Sequence, residues 1–132
     1  MNRADVVRRF YRAFTERDLP TLLDTLEPDI AFEPVLGVLY DAHEYHGHAG
    51  MTRWFDELRA EWDSFETRVE AAIDTPDGVV AFVRLVAHRG DEDLTADIGV
   101  ECHFRGERIC AFVGRDAWAV AEELGMSAPP VS

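Results

Sequence analysis

The hydrophobic period of this chain changes once, near residue 62, and that change limits what it can fold into more than any other feature. Before it, apolar residues recur at helical spacing. Val6, Val7, Phe10, Ala13 and Phe14 form one stripe between Asp5 and Glu16, and Met51, Trp54, Phe55, Leu58 and Trp62 form another. Between them, "RDLPTLLDTLEPD" reads as a short helix with Pro20 in its first turn and Pro28 beyond its end, and "DIAFEP" as a short strand stopped by Pro34. After residue 62 the runs are strand-like. "FETRVEAAID" ends at "TPDG", "VVAFVRLVAHRG" ends at "DED", and "LTADIGVECHF" joins "RICAFV" through Arg105-Gly106-Glu107. A last amphipathic segment, "RDAWAVAEELG", closes on Gly125. Helices first and an antiparallel sheet after them is an α+β layout, not a parallel βαβ one.

With 132 residues, the chain suits one domain, expected over 1–126 with a flexible tail at 127–132. Its net charge of -13 argues against a nucleic-acid partner and against docking on anionic lipid. "MNRADVVRRF" lacks the apolar core of a signal peptide, and runs such as Val79–Val83 are too short to span a bilayer, so a cytoplasmic protein is expected. Cys102 and Cys110 make no disulfide framework and read as reduced core thiols. No phosphate loop, Cys-x-x-Cys pair or nucleophile elbow is present, and no cofactor is expected.

Three stretches, "FTERDLPTLLDTLEPDIAFEP", "EYHGHAGMTRWFDELRAEWDSFE" and "FRGERICAF…AEELGM", resemble the SnoaL-like family, which shares the nuclear-transport-factor-2-like cone with ketosteroid isomerase and polyketide cyclases. The resemblance implies N-terminal helices packed on a curved antiparallel sheet around an apolar cavity, and a homodimer through the outer sheet face. It implies a small hydrophobic partner, polyketide-, terpenoid- or steroid-like, held by Phe10, Phe14, Phe32, Trp54, Leu58, Trp62, Phe82, Val100, Cys102, Phe104 and Phe112.

Candidate chemistry is sparse. His46 and His48 lie in a Tyr-x-Gly-His turn of the kind that precedes the third helix in this family. They read as helix entry, and no metal site is expected. Glu33, just before Pro34, matches the place of the isomerase's base. A carboxylate at the mouth of an apolar cavity gains basicity by desolvation, but Glu33 reads first as a solvent-facing strand end. The isomerase's oxyanion tyrosine matches Phe10, with Tyr11 one position later and rotated by about 100°. Its second donor matches Cys102. Each strong donor missing from such a hole costs about 3–4 kcal/mol, so steroid-type isomerisation is not expected. Alternation puts Ile98, Val100, Cys102 and Phe104 on one strand face and Asp97, Glu101 and His103 on the other. Asp97 and His103 would be an acid–base pair only if that second face lined the cavity. Arg84 either braces an anion or faces solvent. Two functions follow: a pocket protein for a hydrophobic ligand, or a cofactor-independent cyclase, isomerase, dehydratase or epoxide hydrolase. In the second, Glu33 would be the base, with Tyr11, Tyr40, Arg84, Asp97 or His103 as partners.

Overall fold

A computed structural model describes residues 2–34 and 44–130. The first helix, α1 (Arg3–Glu16), is capped by Asn2, whose side chain accepts from the Asp5 amide at 2.8 Å, and it stops where Arg17 turns left-handed. Asp18 then caps α2 (Leu19–Asp24), which has Pro20 in its first turn. The strand β1 (Leu26–Glu33) follows, and a two-residue strand, β2 (Tyr45–His46), leads into α3 (Gly47–Glu61). Four longer elements complete the sheet: β3 (Ser64–Thr75), β4 (Gly78–Arg89), β5 (Glu92–Arg105) and β6 (Arg108–Asp116). The final helix, α4 (Ala117–Glu123), is capped by Asp116.

Among the described residues the strands form one sheet in the order β2-β1-β6-β5-β4-β3. The expected antiparallel sheet needs one correction. The β1·β6 pairing is parallel, with Phe32 opposite Phe112, so the sheet is mixed. Register shifts between Val69 and Ala71 and between His103 and Phe104 bend the long strands. The "DED" segment is not all loop, because β5 already begins at Glu92 and pairs there with Arg89.

Two apolar layers hold the sheet. The larger lies under α1, α2 and α3 and takes Val79, Ala81, Val83, Leu85 and Ala87 from β4 and Val100 and Cys102 from β5. The smaller packs Ala117, Val120 and Ala121 of α4 against Val80 and Phe82 on the opposite face. Because β4 is covered on both sides over its first half, "VVAFV" loses its period-2 signal there.

The outer edge strand β3 is closed by α1. The Thr67 amide, pointing away from β4, donates to Thr15 Oγ1 at 3.0 Å. The two threonine hydroxyls lie 2.8 Å apart, and Thr67 Oγ1 donates to the Tyr11 carbonyl at 3.2 Å. An edge amide that would otherwise face water is thus satisfied by the helix.

Candidate functional site

The interior between α1, α3 and the inner sheet face is aromatic. Phe14 stacks on Trp54 with centroids 5.2 Å apart, Trp54 meets Phe32 at 4.6 Å, Phe32 meets Phe112 at 4.9 Å, and Phe112 meets Phe10 at 4.9 Å. Phe65 joins Phe14 at 4.5 Å. These centroid separations lie in the range of favourable ring pairs. Helical spacing brings Phe10 and Phe14 to one face of α1 and Trp54 and Leu58 to one face of α3. Alternation brings Ile30 and Phe32 inward from β1.

Most residues expected to line a cavity therefore come together: Phe10, Phe14, Phe32, Trp54, Leu58, Trp62, Val100, Cys102 and Phe112 are buried members of one cluster. Phe104 is half-buried against it, with the Arg3 guanidinium over its ring. Phe82 does not belong. It points to the other face and packs beneath α4, the outcome of alternation in a run apolar on both sides. Trp62 sits at the end of α3 beneath Arg89, whose guanidinium is 4.6 Å from its ring. Its buried indole N–H has no hydrogen-bond partner among the described residues.

The titratable candidates separate. Tyr11 is in the interior, where burial, and secondarily the nearby Cys102, push its phenol well above the ordinary range. Cys102 is likewise buried, and desolvation raises its thiol so that it stays protonated. Tyr11 and Cys102 thus approach each other despite the one-residue offset from the isomerase pattern. Glu33 is exposed at the end of β1, opposite Val113. Arg84 points to the outer face, where its Nε and Nη2 donate to the Asp97 carboxylate at 3.0 and 3.3 Å across the β4–β5 pair. His103 shares that outward alternation with Asp97, and Glu101 accepts from Arg115 at 3.0 Å. Tyr40 lies outside the described residues.

The histidines start a helix. Gly47 adopts φ +68, and a Cβ there would stand 3.1 Å from the Pro28 carbonyl oxygen, so this turn calls for glycine. His48 Nε2 donates to the Leu26 carbonyl at 3.0 Å and ties the helix start to β1. His46 is exposed, 3.5 Å from the Glu44 carboxylate. Among the described residues no group of three His, Cys, Asp or Glu side chains is placed to hold a metal ion. No described helix is long and apolar enough to cross a membrane. Cys102 pairs opposite Phe112 and not Cys110: the hairpin is centred between Gly106 and Glu107, with Arg105 opposite Arg108, and the shift at His103/Phe104 moves the partner one residue further.

One surface feature was not anticipated from the sequence. A groove of about 430 Å³ runs between α1 and β3, lined by Arg8, Tyr11, Arg12, Thr15, Glu16, Thr67 and Val69. The spacing of Arg8, Arg12, Thr15 and Glu16 along one helix flank was legible; the strand beside them was not.

A scan of protein families matches residues 7–112 to the SnoaL-like domain. The chain belongs to the SnoaL-like family. Among solved structures it is similar to an NTF2-like protein of unknown function from Burkholderia pseudomallei, with 20% identity over 96% of this chain and 98% of that one and a TM-score of 0.77. It is also similar to TerC co-crystallised with polyporic acid, with 18% identity over 91% and 95% of the two chains and a TM-score of 0.76. A third is a putative polyketide cyclase from Sinorhizobium meliloti, with 14% identity over 84% and 94% and a TM-score of 0.66. At these identities the likeness establishes the nuclear-transport-factor-2-like fold and nothing finer. No curated protein matches.

Proposed function

We propose that the protein binds a small hydrophobic molecule, polyketide-, terpenoid- or steroid-like, against the aromatic surface shared by α1, α3 and the inner sheet face. One observation carries the reading. Among the described residues no carboxylate, histidine or arginine is buried as a whole residue, Thr25 being the fully buried polar residue; the enclosed Oε1 of Glu70 lies at the β3 register shift beside Arg84, and the interior Tyr11 and Cys102 are held neutral. A surface rich in rings and poor in ionisable groups suits recognition of an apolar body better than proton transfer near neutral pH. That TerC was crystallised with polyporic acid supports a small-molecule role for this fold. The same reading takes the protein as cytoplasmic, with its thiols reduced. It also takes it as a homodimer through the outer sheet face, beside which the 63% exposed Trp118 of α4 stands.

The test is a titration with Nile red, a neutral hydrophobic dye, followed by dye emission and by quenching of tryptophan. Polyketide-, terpenoid- and steroid-like compounds then compete for it. Saturable uptake that Glu33→Gln leaves unchanged is expected. Absence of saturable uptake by the folded protein refutes the binding reading. Turnover of a competitor that Glu33→Gln abolishes replaces it with the acid–base enzyme.

A further inference from the structure

The groove between α1 and β3 lies outside the aromatic interior and has its own chemistry. The basic residues of this acidic chain are all arginine, 13 against 26 acids. Most are committed. Arg9 pairs with Asp24, Arg84 with Asp97, Arg89 with Glu61 and Glu92, Arg105 with Asp29, and Arg115 with Glu101 and Glu123. Arg17 donates to the Asp63 carbonyl, and Arg59 lies over Phe55. Arg8 and Arg12 differ: among the described residues neither has an ion pair, hydrogen bond or ring contact, and both are exposed on the groove's helical wall.

Their placement is mildly unfavourable, and Glu16 on the same rim offsets it only at the Arg12 end. They are one turn apart on the same flank of α1, a spacing at which like charges repel. In a chain of net charge -13 the fold leaves both open toward the same hollow. The opposite wall is Val69, with its partly buried side chain against the core, and the ring-bearing Tyr11 backs the floor. At the far end Thr15 and Thr67 close a hydroxyl pair, and Glu16 stands one turn beyond Arg12. Two planar guanidiniums supply forked donors matched to a carboxylate, and an apolar wall beside them suits a short hydrocarbon or aromatic body. Glu16 at the same rim disfavours a compact multivalent anion, which would have no apolar part to seat and would meet a like charge.

We infer that this groove is a second binding site, for a small organic monocarboxylate whose acid group is gripped by Arg8 and Arg12 and whose apolar part lies on Val69. The inference stands independently of the ligand proposed for the interior.

The test uses the full ¹⁵N-labelled chain, with phenylacetate as probe and neutral phenylacetamide and inorganic phosphate as comparisons, read by amide chemical shifts. Phenylacetate should shift the amides of Arg12, Thr15, Glu16, Thr67 and Val69 saturably. Arg8→Gln/Arg12→Gln should weaken that binding by about tenfold or more, the loss expected for charge-assisted contacts, while Nile red uptake in the interior stays as in the parent. Phenylacetamide should leave these amides in place. Equal binding of phenylacetamide, equal shifts from phosphate, shifts confined to the neighbours of Phe32 and Trp54, or an unchanged affinity in the double variant would each overturn the assignment.

Discussion

Gly78→Ala is a sharp test of the β4–β5 register beneath the candidate site. Gly78 opens β4 and pairs with His103. An added Cβ would lie 1.9 Å from the Cys102 carbonyl oxygen, 3.0 Å from its carbonyl carbon and 3.2 Å from the His103 Cα. Real Cβ contacts stay beyond 3.0 Å, so the backbones must part by at least 3.0 − 1.9 = 1.1 Å. Neither side yields cheaply, because the obstacle is backbone and Cys102 is held between Val79 and Phe112 across its two neighbouring strands. Overpacking of this kind costs about 1–3 kcal/mol, and the rigid partner places Gly78→Ala at the upper end. The lower entropy of an unfolded alanine chain offsets roughly 0.5 kcal/mol, leaving a net loss of about 2.5 kcal/mol. Gly99→Ala is the control. Its Cβ meets Val120 Cγ2 at 2.7 Å and Val120 Cβ at 3.0 Å, so the short helix α4 must shift by a few tenths of an ångström, a smaller displacement than Gly78 demands, and a loss of about 1 kcal/mol is expected. Urea unfolding followed by tryptophan emission measures both, and at about 2 kcal/mol per molar the Gly78→Ala midpoint should fall by about 1 M. A Gly78→Ala midpoint equal to the parent's, or a greater loss in Gly99→Ala, would refute the register and the packing inferred from it.

The two cysteines should differ in the native state. Iodoacetamide should modify half-buried Cys110 while Cys102 stays unmodified until the chain unfolds, as peptide mass mapping would show; early modification of Cys102 would contradict its burial. Because burial raises the folded thiol above its unfolded value, Cys102 favours folding fully only below the ordinary thiol range. That contribution is lost as pH rises from about 8.5 toward the folded value. Cys102→Ala should therefore flatten the alkaline decline in urea midpoint, whatever it costs at neutral pH. The Thr15–Thr67 contact should give a coupling of about 1 kcal/mol in a double-mutant cycle of Thr15→Val and Thr67→Val, and simple additivity would mean that α1 does not close the β3 edge through these hydroxyls.

Residues whose environment is decided locally were legible in the sequence. The α1 and α3 stripes found Phe10, Phe14, Trp54 and Leu58, and alternation on β5 correctly divided Val100 and Cys102 from Asp97 and Glu101. What depended on a distant partner was not legible. A strand's pattern says which side chains share a face but not which strand lies beside it, so the parallel β1·β6 pairing was invisible. Phe82 was misplaced because "VVAFV" is apolar toward both layers. The fate of Arg84 depended on Asp97, 13 positions later on the next strand. The α1–β3 groove required knowing that β3 is the outer strand and that α1 lies along it.

That last arrangement has a consequence for how the molecule keeps to itself. A twelve-residue strand with an open side is a template onto which another chain can be laid. At the opposite border the described strand is only two residues long, too short to recruit a guest. The first helix, which takes up the Thr67 amide, therefore shields part of that border, and a lesion that frees it would leave a longer stretch of strand open to another copy.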